Sequence, residues 1–139
     1  MEECVEMSSM DQALPERHEV PEEFRWRLED IYASEDTWQR DYDEIKRRLP
    51  DMESFQGKLG DDADTLLAAL QLRGEIEMKT GLLFAYAKMR KDENTANPQY
   101  QALDDKAKGL ITDVRGATSY IVPEILTIPT EKINQFIRE

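Results

Sequence analysis

One histidine, His18, and one cysteine, Cys4, are the only imidazole and thiol in the 139-residue chain. A zinc centre needs three or four nitrogen, sulfur or carboxylate ligands, and a histidine-paired nucleophile needs its base beside it. Neither a Cys/His metal site nor a Cys–His pair can be assembled from this chain alone, and an intramolecular disulfide is excluded. His18 lies between Arg17 and Glu19 and reads as an ordinary surface histidine. Cys4 sits among Glu2, Glu3 and Glu6, whose charges disfavour the thiolate. Adjacent carboxylates such as Asp61–Asp62 and Asp104–Asp105 are what an acid and base with separated pKa values would use. Neighbours on a helix, however, point about 100° apart. Thirty acidic residues also generate such pairs without function, so they read as solvated faces. Gly57-Lys58-Leu59-Gly60 resembles a phosphate-binding loop only in its glycines, because the spacing, the following Ser or Thr and the preceding strand are missing. No catalytic, cofactor-binding or metal-ligating residue is therefore assigned to any position.

The elements that would hold such residues are helical throughout. Ser34 followed by Glu35 and Asp36 is an N-cap with first-turn acids, and Trp38, Tyr42, Ile45 and Leu49 form one face of a helix that Pro50 is expected to stop. Asp43–Arg47 and Glu44–Arg48 are acid-before-base pairs four residues apart, each contributing a few tenths of a kcal/mol. Residues 55–60 are a loop pinned by Phe55 and Leu59. Asp61, Asp62 and Asp64 open the longest periodic segment, from about Ala63 to about Arg90, with two stripes on it. Ala63, Leu67, Leu70, Gly74, Met78, Gly81 and Ala85 form one, whose small residues suit close approach by a neighbouring helix; Leu72, Ile76, Leu83 and Ala87 form the other. Residues 81–87 are apolar all round, as in a helix covered on most sides by its own core or by a partner surface. Asn97-Pro98 starts a further helix, expected to run to about Val122. Its face is Tyr100, Leu103, Ala107, Leu110, Ile111, Val114, Ala117 and Ile121, with Asp104, Asp105, Lys108, Asp113 and Arg115 turned mostly outward. Pro123 and Pro129 interrupt the C-terminal stretch, and Ile133, Phe136 and Ile137 begin a last amphipathic helix.

Composition sets the frame around these elements. The length allows one domain. Charged residues make up 35% of the chain, and a net charge of -12 has the wrong sign for nucleic acid or an anionic membrane surface. No run approaches a membrane span, and the acidic N-terminus is unlike a signal peptide. The expectation is an intracellular, soluble, all-α domain: a long antiparallel helical hairpin with flanking shorter helices, clamped by Trp26 to Tyr32. Residues 1–13 are read as a disordered leader outside it.

Several ordered blocks carry a resemblance. The run from Leu14 to Tyr32, then Ser34 to Trp38, Phe55 to Gly60, Leu66 to Leu70, Tyr86 to Arg90 with Asp92, and Asn97 to Leu103 resemble the N-terminal region of bacterial oligoendopeptidase F. That family consists of cytoplasmic zinc metallopeptidases, related to thimet oligopeptidase, that cut short peptides. Its catalytic region carries an H-E-x-x-H helix in which two histidines bind zinc and the glutamate is general base. This sequence has no H-E-x-x-H, so no catalytic or metal residue is carried over. The resemblance implies that residues 14–139 are a helical N-terminal domain packing on a catalytic domain absent from this chain and helping to enclose the substrate channel. Zinc would then reside in that missing domain, short peptides would be substrates of the parent, and this piece alone would be inactive. The alternative is a free-standing acidic helical interaction module without enzymatic activity; a truncated gene product with neither role is a third.

Overall fold

The computed structural model describes residues 15–138, and every regular element among them is helical. The expected leader, with Cys4 in it, lies outside the described residues, as do Leu14 and Glu139. Three short 3-10 turns, Arg17–Glu19, Glu22–Phe24 and Leu28–Asp30, lead into five α-helices. These are α1 (Glu35–Glu53), α2 (Ala63–Glu93), α3 (Pro98–Thr118), α4 (Ile121–Thr127) and α5 (Thr130–Phe136).

The starts of the three long helices are local chemistry. At α1, Ser34 Oγ accepts from the Thr37 amide at 3.3 Å while Thr37 Oγ1 accepts from the Ser34 amide at 3.2 Å. Asp62 caps α2 by accepting from the Thr65 amide at 2.7 Å. Asn97 caps α3 through the Gln99 amide at 2.9 Å, with Pro98 at the first helical position.

Cross-links between helices fix their directions. Trp38, Glu44 and Arg48 of α1 meet Leu83, Lys79 and Glu75 of α2, so these helices run antiparallel. Gln39 and Lys46 of α1 meet Lys106 and Asp113 of α3, which makes that pair parallel. Consequently α2 and α3 are antiparallel, as the short 94–97 connection demands, and the three form an up-down-up bundle. Its core holds Trp38, Ile45, Leu49 and Met52 from α1, Ile76, Leu83, Tyr86 and Ala87 from α2, and Leu103, Ala107, Leu110 and Val114 from α3. The clamp forms through Leu28 and Tyr32, both buried, while Trp26 is half-exposed. Tyr32 meets Tyr86 edge-on at 5.6 Å and donates its hydroxyl to Asp41 at 3.0 Å.

The structure corrects four local expectations. Pro50 does not stop α1, which continues to Glu53. An interior proline costs about 3 kcal/mol, but the extra turn buries Met52 completely, worth about 1.5–3 kcal/mol. The Met52 carbonyl also gains the Tyr120 hydroxyl at 2.6 Å. α3 ends before Val122, because continuing through would set Pro123 against the Ser119 carbonyl and leave that group without its donor. The break at Ser119–Tyr120 instead places Pro123 in the first turn of α4, where the missing N–H is harmless. Asp104 is not turned outward but buried. Finally, only the stripe through Ile76 and Leu83 faces the core. The Gly74–Gly81 stripe lies on the outside, where a Cβ built at either glycine meets nothing within 4 Å.

Candidate functional site

Each residue singled out in the sequence for possible chemistry has a structural position. His18 is exposed in the first 3-10 turn, where its carbonyl accepts from Arg25 at 3.0 Å. Among the described residues no group of three or more His, Cys, Asp or Glu side chains is arranged to hold a metal ion. Asp62 is the α2 cap, and the Thr65 amide holds its carboxyl below the usual range. Its neighbour Asp61 is exposed and lines an open cleft of about 710 Å³ between the 56–61 loop and α4–α5. That cleft also contains Tyr120, Glu124 and Lys132, but no nucleophile–base pair.

The 57–60 loop does bind an anion, and the anion is internal. Gly57 takes φ +83°, a conformation that favours glycine, and this turns the backbone so that the Gly57 and Leu59 amides converge. Glu124 of α4 fills the position: Gly57 N donates to one carboxylate oxygen at 2.8 Å and Leu59 N to the other at 2.9 Å. The loop is thereby locked onto α4, and Leu59 is driven into the core. Nothing in the sequence links Glu124 to a loop more than sixty positions upstream, so this contact was not legible there. Glu124→Gln, which leaves only one acceptor oxygen for two amides, is expected to destabilise the fold by about 1 kcal/mol. Urea unfolding checks this, and an unchanged midpoint would show that the carboxylate is dispensable.

A charged seam joins the N-terminal turns to the far end of the hairpin. Arg17 pairs with Glu93 at 2.6 Å and donates to the Trp26 carbonyl at 2.9 Å, while Arg90 meets Glu93, Glu29 and the Tyr86 hydroxyl. Burial, then the hydrogen bond to Asp41, holds the Tyr32 hydroxyl above its ordinary pKa. At the same end Asp104 receives two ammonium groups, Lys108 at 2.6 Å and Lys91 at 2.8 Å, both on Oδ2. Burial works to raise its pKa, but the two lysines outweigh it and the net direction is down. These arrangements brace a scaffold, and none sets a base against a nucleophile.

Comparison with known proteins bears directly on this scaffold. The chain is 44% identical over 126 residues to oligopeptidase PepF of Bacillus subtilis, covering 91% of this chain and 19% of that protein. The chain is homologous to oligoendopeptidase F over most of its length. It is 31% identical over 124 residues to the plasmid-borne oligoendopeptidase F of Lactococcus lactis subsp. cremoris, covering 88% of this chain and 21% of that one. The crystal structure of oligoendopeptidase-F from Enterococcus faecium superposes with a TM-score of 0.70 at 30% identity, over 76% of this chain and 21% of the other. No family model matches. The chain thus spans about a fifth of the length of the oligoendopeptidase F relatives it matches. The residues present do not fit the zinc ion that the resemblance implies, since His18 is the lone histidine and is exposed. Among the described residues no helix is long and apolar enough to cross a membrane.

Proposed function

We propose that this chain is the N-terminal, non-catalytic part of an oligoendopeptidase F-like zinc metalloendopeptidase. In this reading it packs on the catalytic domain of the same protein and helps wall the channel that admits short oligopeptides. The observation that carries it is the 44% identity across 126 residues to Bacillus subtilis PepF. The helical likeness to the Enterococcus faecium structure supports it. Zinc and the groups that activate water belong to the catalytic domain, and short peptides are substrates of the whole cytoplasmic protein. Neither nucleic acid nor membrane is a partner, in keeping with the net charge of -12.

The test is a chimera in which this chain replaces the matched residues of Bacillus subtilis PepF. The chimera is expected to cleave a quenched-fluorescent peptide, whereas the 139-residue chain alone cleaves none. A folded but inert chimera counts against the reading, and so does metal-dependent cleavage by the chain alone. The exposed apolar face of α2 supports a second reading, a free-standing acidic interaction module. A reading frame that continues past residue 139 into an H-E-x-x-H motif removes it.

A further inference from the structure

We infer that the outer face of α2 is the surface on which the rest of an oligoendopeptidase F-type chain docks; this rests on the reading above and adds which face makes the contact. α2 is apolar on two opposite sides, and only one is satisfied by the bundle. On the other, Leu67, Leu70, Met78 and Leu82 remain 53%, 39%, 65% and 45% exposed. In a chain with 35% charged residues, the face running Leu67, Leu70, Gln71, Gly74, Met78, Gly81, Leu82 and Ala85 carries no charge over roughly 27 Å of helix. A helix that ends its burial in this bundle would be polar there.

The two glycines on that face sharpen the point. Each costs about 1 kcal/mol against alanine in a helix interior, and alanine would fit at both positions without contact. Within the described residues nothing uses the space they leave, whereas a second backbone pressed against α2 would. The apolar surface also continues past α2: Ile133 and Phe136 of α5 and Ile137 just after it share a groove with Leu66, Leu67 and Leu70, whose lining also includes Asp62 and Asp64 at the start of α2. Chain continuing past α5 therefore leaves from this surface and meets it at high effective concentration.

The occupant follows from length and charge. The homologous relatives contain about four-fifths of their length outside the segment matched here, which is ample chain to cover a single helix face. A second copy is disfavoured, since each copy carries a net charge of -12 and Glu75 and Glu77 border the stripe.

The experiment uses the active chimera with PepF, carrying the photo-crosslinking residue p-benzoylphenylalanine in place of Met78. A second version carries it at Leu67, in case one placement disturbs folding, and a control carries it at exposed Thr112 of α3. After irradiation, position 78 or 67 is expected to join peptides of the PepF portion within one molecule, and this product is lost at position 112. Crosslinks between two chimera molecules, or none to the PepF portion from either position in a chimera that still cleaves peptide, overturn the docking face and leave the family reading standing. A folded chimera without cleavage overturns the reading and the inference with it.

Discussion

Trp38→Ala is expected to lower the unfolding free energy of this chain by about 3–5 kcal/mol, the range for deleting a large aromatic side chain from a packed core. Trp38 is fully buried where α1 crosses α2, and its ring stacks on Tyr42 with centroids 5.4 Å apart. Its Nε1–H donates to the Leu83 carbonyl at 2.9 Å, so the indole both fills volume and ties two long helices at one register. Domains of this kind are stable by only about 5–15 kcal/mol in total, so the loss takes a large share. Trp38→Phe separates the contributions: it keeps most of the ring volume and removes the hydrogen bond, which costs about 1 kcal/mol by itself. Urea unfolding followed by far-ultraviolet circular dichroism gives both values, and it avoids the signal of the half-exposed Trp26. An alanine variant with the wild-type midpoint would mean that α1 does not pack on α2 through this residue.

The parts of this fold that were legible in the sequence are those decided within a few residues. Ser34, Asp62 and Asn97-Pro98 announce helix starts because a cap reaches only two or three amides ahead. The α1 and α3 faces follow from a 3.6-residue period. Long-range compensation was not legible. Pro50 reads as a stop until Tyr120, 68 positions after Met52, supplies a donor to the Met52 carbonyl. Asp104 reads as surface because its neighbours in sequence are charged. Lys91 comes to it from the preceding helix across the hairpin connection, and only together with Lys108 does it make burial tolerable. On α2 both stripes are free of charge, and which one becomes core depends on where α1 and α3 lie. The candidate site divides the same way. The sequence excludes a Cys/His zinc centre by counting histidines and cysteines, whereas the Glu124 anion lock needs the three-dimensional return of α4 to the 57–60 loop.

Asp104 yields a prediction whose sign with pH is diagnostic. Its side chain is 1% exposed, both lysines bind Oδ2, and Oδ1 has no hydrogen-bond partner among the described protein groups. The lysines are the accessible members of the cluster and can turn their ammonium groups to water, whereas the carboxylate cannot follow. Removing the acid should therefore matter little: Asp104→Asn is expected to stay within about 1 kcal/mol of wild type. Removing both bases, with Lys91→Met and Lys108→Met together, leaves a shielded carboxylate uncompensated and is expected to cost about 3 kcal/mol at neutral pH. In wild type the folded pKa of Asp104 is lowered, so its contribution is present above the unfolded value of about 4 and disappears as pH falls through the folded value. In the double variant the lysines no longer oppose burial, and the folded pKa moves above the unfolded one. Protonation then relieves the penalty, so the stability gap between the double variant and wild type narrows as pH falls from 7 toward 4. Denaturant midpoints of the three proteins across that range decide it. A gap that stays constant would show that Asp104 is hydrated, and an Asn variant as unstable as the double lysine variant would show that the ion pairs themselves stabilise the hairpin end instead of merely offsetting a buried charge.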